Sequence, residues 1–332
     1  MINWLNYINN MTELKTTLLP SKSDFGIFSN DGKIKYYYRK LTHTETGKII
    51  NLPQISSCIT AEDISRCGKL LVLGFESCAC KRCACDSSIN VYNTTDGSLI
   101  KRFDHGTLKA TSNVKISPDN SHVVVCLGKS IMAFAMETGI KLWENEILST
   151  YPCDIYFTDN HNFLLATCNE YNDERKYFCT LHNYNILTGE STLYQTIPVN
   201  DWTRRLIFSN DGKFLACGGY SGNVNIITIG ENDTKNMILQ TSQPKEGEYG
   251  GGGDVRSMAF SLDKKYFAAG SYGYCDVWDL QKGEKIASLS RKYTIGNGPK
   301  AFEMSSYVTV SFAPNNDLYL KAEYTCEMIK LP

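Results

Sequence analysis

The sequence predicts an all-β fold of seven four-stranded antiparallel blades, and three observations carry the prediction. An apolar residue followed by a polar turn recurs seven times, each turn leads into a short β-branched or aromatic run, and a second family of Gly-containing turns follows. The first family reads FSNDG (28–32), ISRCG (64–68), ISPDN (116–120), FTDNH (157–161), FSNDG (208–212), FSLDK (260–264) and FAPNN (312–316). Its fourth turn positions lie 36, 52, 41, 51, 52 and 52 residues apart, a period suited to propeller blades. Seven turns imply a seven-bladed β-propeller, read as one domain over residues 1–332.

Within each blade the Phe or Ile before the turn ends a first strand, and Asn, Asp and Gly fill the turn because they tolerate its dihedrals. The segments that follow, such as KLLVLGF, HVVVCLG, KFLACGG and KYFAAGS, are too short and too rich in β-branched or aromatic residues for surface helices. TETGK (44–48), TTDGS (94–98), METGI (136–140), LTGES (187–191) and QKGEK (281–285) then mark the hairpin between the two outer strands. Blade 1 is short, with 15 residues between Gly32 and Gly47 where other blades use 19 or more, so one of its strands is expected to be short or missing. The last blade, from Ser306 to Pro332, has room for three strands only. An unpaired edge would remain, so residues near Glu13 to Leu19 are predicted to supply the outermost strand and close the ring.

Residues 260–289, FSLDKKYFAAGSYGYCDVWDLQKGEKIASL, contain Trp278-Asp279 and resemble a complete WD repeat. By turn spacing, nearly the whole chain is similar to the WD-repeat (WD40-like) family with degenerate repeats. Elsewhere the name-giving slot holds Tyr92-Asn93, Tyr184-Asn185 or Ile227-Thr228, and the Gly-His dipeptide is missing. The resemblance implies a scaffold whose rim, formed by the connections between blades and between second and third strands, meets partners.

Charge is balanced, with 34 Lys plus Arg against 35 Asp plus Glu, so no global field draws the chain to nucleic acid or acidic lipid. No segment approaches the 18 or so consecutive apolar residues of a spanning helix, and a signal-like start is absent, so a cytoplasmic location is expected. Several of the 13 cysteines, including Cys126, Cys168 and Cys217, fall inside apolar strands and read as small buried hydrophobes.

Cys78, Cys80, Cys83 and Cys85 form a near palindrome about Lys81-Arg82, between the strands ending at Phe75 and starting at Ile89. Folded as a hairpin, period-2 alternation puts the four thiols on one face. Three readings stand: a structural zinc site, redox-labile thiols, or a loop without a site. Arg204 and Arg256 align at the start of the innermost strands of neighbouring blades, where two guanidinium groups could hold a carboxylate or phosphate. The alternative is that they pair with Asp201 and Asp254. Trp202 beside Arg204, and Tyr249 in the Gly-rich loop 243–253, extend this candidate partner-binding face. Segments 293–300 and 169–176 are read as two further loops on the rim.

The five histidines lie apart without ligand spacing, and there is no G-x-S-x-G elbow or P-loop. The expected function is a non-catalytic scaffold for a protein or peptide. A metal-binding or redox-responsive propeller is the alternative, and an enzyme with a channel-based site a distant third.

Overall fold

The residues described in a computed structural model are 15–18, 26–53, 58–76, 88–105, 111–147, 153–171, 177–230, 236–242, 253–295, 302–322 and 325–331. They form strands, turns and connections without a helix. Two compact units are present, Ile27–Pro198 and Met1–Gly26 with Val199–Pro332.

In numbering all strands along the chain, β1 is Lys15–Leu18. The 27–198 unit then holds four antiparallel sheets. Blade 1 comprises β2 (Ile27–Phe28), β3 (Ile34–Tyr37), β4 (Lys40–His43) and β5 (Ile49–Asn51). Blade 2 comprises β6 (Cys58–Ile64), β7 (Leu70–Glu76), β8 (Ser88–Asn93) and β9 (Leu99–Asp104). Blade 3 comprises β10 (Thr111–Ile116), β11 (His122–Leu127), β12 (Ser130–Ala135) and β13 (Lys141–Glu146). Blade 4 comprises β14 (Cys153–Phe157), β15 (Asn162–Tyr171), β16 (Tyr177–Asn185) and β17 (Ser191–Val199).

The other unit holds blade 5, with β18 (Thr203–Phe208), β19 (Phe214–Gly219), β20 (Asn223–Thr228) and β21 (Asn236–Gln240). Blade 6 has β22 (Ser257–Phe260), β23 (Tyr266–Gly270), β24 (Tyr274–Asp279) and β25 (Glu284–Ser290). A two-stranded hairpin follows, β26 (Lys292–Ile295) with β27 (Phe302–Ser305). Blade 7 is β28 (Thr309–Phe312), β29 (Leu318–Lys321) and β30 (Cys326–Lys330), completed by β1. Lys15 faces Lys330 and Leu18 faces Glu327, so the returning N-terminal strand lies inside the predicted segment.

All seven first strands end on the Phe or Ile read from the sequence. Ser29, Ser117, Ser209 and Ser261 each donate their hydroxyl to the turn Asp two residues on, at 2.6–2.8 Å. The same hydroxyls accept the backbone N–H of Ile34, His122, Phe214 and Tyr266, which starts the second strand. The next residue takes positive φ in six turns: Gly32, Gly68, Asn120, Gly212, Lys264 and Asn316. Three of these residues also tie consecutive blades together, Asn120 by donating its amide to Cys67 Sγ at 3.3 Å. Lys264 Nζ reaches Asp211 at 2.6 Å, and Asn316 donates to Asp263 at 2.8 Å.

Blade 1 is short but complete. Its second and third strands are joined by Tyr38-Arg39 alone, both at positive φ, as a tight hairpin of the right-handed twist requires. Two segments expected to be loops are partly strand: β26 occupies the first part of 293–300, and β15 continues through Tyr171. In both, Gly, Asn or charged residues near the tip conceal the paired arms.

The core lies between consecutive sheets. Val124, Cys126, Phe163 and Leu165 pack between blades 3 and 4, and Ala216, Ile226, Phe260 and Trp278 between blades 5 and 6. Cys126, Cys168 and Cys217 are buried, as their apolar surroundings predict.

Candidate partner-binding rim of blades 5 to 7

The first strand of blade 5 carries a β-bulge. Thr203 faces Gly219 and Arg205 faces Gly218, leaving Arg204 as the extra residue. Blades 2 and 3 bulge at the same place, where the Thr60 and Ser112 hydroxyls turn back to the carbonyls of Gly74 and Cys126. An arginine is too long for that local bond, and the bulge re-aims it along the rim. Arg256 stands just before β22, with its own N–H bonded to the Gly270 carbonyl.

The two guanidinium groups converge on Asp254, whose side chain is only 4% exposed. Arg256 Nε donates to one carboxylate oxygen at 2.8 Å, and Arg204 Nε lies 3.5 Å from the other. The hydrogen bond to Asp254 raises the Arg256 pKa above its ordinary value, so its charge is fixed. Of the two acids considered from the sequence, only Asp254 pairs with the arginines. Asp201 caps the β19–β20 turn instead, accepting from the Ser221 N–H and hydroxyl at 2.5 and 2.6 Å and from the Trp202 N–H at 2.7 Å.

Aromatic rings support the outer faces of the arginines. Arg204 lies 5.0 Å over the Tyr220 ring, and Arg256 lies 4.1 Å over Tyr307. Tyr307 meets Tyr272 edge to face at 5.2 Å, and the two residues form a β-bridge. These tyrosines were not read from the sequence. For Tyr220 and Tyr272 the available signal was a Tyr inside each of the Gly-flanked segments GGYSG (218–222) and GSYG (270–273), which join second to third strands in adjacent blades. Arg204 and Arg256 keep 40% and 50% of their side chains exposed, and Trp202 and Tyr220 are 46% and 52% exposed.

Buried ties fix the backbone beneath this surface. Asp276 accepts from the Ser242 N–H and hydroxyl at 2.6 and 2.7 Å and pairs with Lys285 at 3.3 Å. Lys285 also sits 5.3 Å over Trp278, so the blade with the Trp-Asp dipeptide does hold a polar lock. Arg291 and Glu327 form a buried ion pair at 2.5 Å between blades 6 and 7.

A family model described as "WD domain, G-beta repeat" matches residues 245–279. The Cps50 (Swd1) beta-propeller domain of Myceliophteria thermophila aligns over 99% of this chain and 100% of its own, with TM-score 0.66 and 13% identity. The chain is a seven-bladed β-propeller in which residues 245–279 match a WD repeat. No curated protein matches it in sequence. The match ends on Trp278-Asp279, and the Asp279 carboxylate accepts the N–H groups of Gln281 and Lys282. Asn93 and Asn185 cap their own turns in the same way, so an amide oxygen in blades 2 and 4 takes the place that the Asp279 carboxylate has in blade 6.

Other predicted sites fare differently. Cys78, Cys80, Cys83 and Cys85 lie between β7 and β8, the second and third strands of blade 2, but outside the described residues. Tyr249 is likewise outside them. Acids on the first strands of blades 2 to 4 are tied to their neighbours: Asp63 to Lys115 at 3.0 Å, and Asp154 to Asn113 at 2.9 Å. Burial pushes the Asp63 pKa up against the pull of Lys115.

Proposed function

We propose that this chain is a non-catalytic scaffold that presents Trp202, Arg204, Tyr220, Arg256, Tyr272 and Tyr307 to a protein or peptide partner. WD-repeat propellers generally mediate protein–protein interaction and typically need no cofactor. The observation that carries the reading is a contiguous set of exposed or half-exposed Trp, Tyr and Arg side chains, held by one buried carboxylate. These residue types dominate interface energetics because they combine large apolar area with directed polar groups and lose little side-chain freedom when already fixed.

The test is affinity purification of partners with the wild-type chain, with Trp202→Ala plus Tyr220→Ala, and with Ile140→Ser at the exposed turn just before β13 of blade 3. The rim variant is expected to lose the partners and the blade 3 variant to keep them, with both melting within a few degrees of wild type. Undiminished capture by the rim variant refutes the reading.

A further inference from the structure

We infer that the partner places an oxyanion-bearing side chain, a carboxylate or a phosphate ester, across the outward ends of Arg204 and Arg256. The inference rests on the rim reading above and adds the chemistry of the group recognised.

Three observations lead to it. Each guanidinium offers five N–H donors in a fixed fork, and the contacts with Asp254 use the Nε side of each. Among the described residues, neither pair of Nη nitrogens has a hydrogen-bond acceptor. Second, two cations face one carboxylate, and the other local acid, Asp201, is already committed to Ser221 and Trp202. The outward edges of the two forks therefore face no carboxylate among the described residues.

Third, the groups are held in place before any ligand arrives. Asp254 holds Arg256 by a hydrogen bond and Arg204 by an ion pair, Tyr220 and Tyr307 fix the planes, and the bulge at Arg204 fixes the direction. Forks with free outer N–H groups match the two oxygens of a carboxylate or phosphate. An uncharged amide would meet the same forks with one acceptor, and a lysine would be repelled.

Fluorescein-labelled heptapeptide pools test this, with the central residue fixed as Glu, Gln, phosphoserine or Lys and the other positions randomised. Binding is followed by fluorescence polarisation for wild type, Arg204→Gln, Arg256→Gln, Arg256→Lys and Trp202→Ala plus Tyr220→Ala, with each variant's melting curve as the folding control. Wild type is expected to bind the Glu or phosphoserine pool at least about tenfold more tightly than the Gln pool, the size of one directed charge-assisted contact. Each Arg→Gln variant should cut that preference to about threefold or less, and Arg256→Lys, which keeps charge without the fork, should reduce it too. A preference for phosphoserine over Glu assigns the source as a phosphorylated side chain, and the reverse order assigns an acidic residue.

Equal binding of the Glu, phosphoserine and Gln pools overturns the inference. If that binding is still lost in the Trp202 and Tyr220 variant, the rim reading survives. No binding of any pool at millimolar peptide also overturns the inference, and partner purification then decides the rim reading separately.

Discussion

Asp254 determines how charge changes at the rim act on the fold. Replacing Arg204 and Arg256 together by Glu removes both counter-charges from a buried carboxylate and adds two like charges beside it. The double reversal is expected to cost about 1–3 kcal/mol, discounted because both arginines are partly exposed, and so to lower the melting temperature as well as partner binding. Single Arg→Gln changes, which leave one cation on Asp254, separate these effects. A second residue-scale prediction concerns Ser261, which is fully buried, donates to Asp263 and accepts from Tyr266 N–H. Ser261→Ala strands that N–H and is expected to cost about 1–3 kcal/mol, read as a lower urea midpoint with unchanged slope. The turns themselves were legible because the same Asn, Asp and Gly chemistry recurs, whereas the serine that bridges each turn and the pairing of Arg204 with Tyr220 were not. That contact joins a bulged strand residue to a residue of the β19–β20 turn, and a bulge leaves no mark in residue type.

At the level of strands, the close approach of blades 6 and 7 leaves no room for a side chain at Gly270, where an added Cβ would meet the Val308 carbonyl oxygen. Gly270→Ala is expected to destabilise by about 1–3 kcal/mol through a forced backbone shift, measurable by thermal unfolding. The Arg291–Glu327 pair behaves differently. Arg291→Met leaves Glu327 buried without its partner and is expected to cost about 3–5 kcal/mol, while adding Glu327→Leu recovers much of the loss; a double variant no better than the single one contradicts this account. The returning strand was legible from counting, since three strands cannot complete a four-stranded blade. The β26–β27 hairpin was not, because the Gly-Asn-Gly-Pro sequence of its tip reads as loop and its arms are only four residues each.

Across the whole molecule, the repeated turn carboxylates make stability pH-dependent. The Ser29 hydroxyl lowers the Asp31 pKa; at Asp119, Asp211 and Asp263 burial pulls upward but hydroxyl and N–H donors outweigh it, and their pKa values are also lowered. The unfolded chain then binds more protons in acid, so this stabilisation is complete above the ordinary carboxylate value of about 3.9 and is lost as pH falls through the lower native values. Replacing Asp119 and Asp263 by Asn should flatten the acid limb of the stability curve; an unchanged limb would assign acid unfolding to other groups. Blade 7 carries a different consequence, one of timing. β30 is made roughly 300 residues after its partner β1, on the order of half a minute later at about 5–20 residues per second. Through that interval β1 lacks the strand it pairs with, so blade 7 cannot be completed until β30 has been made.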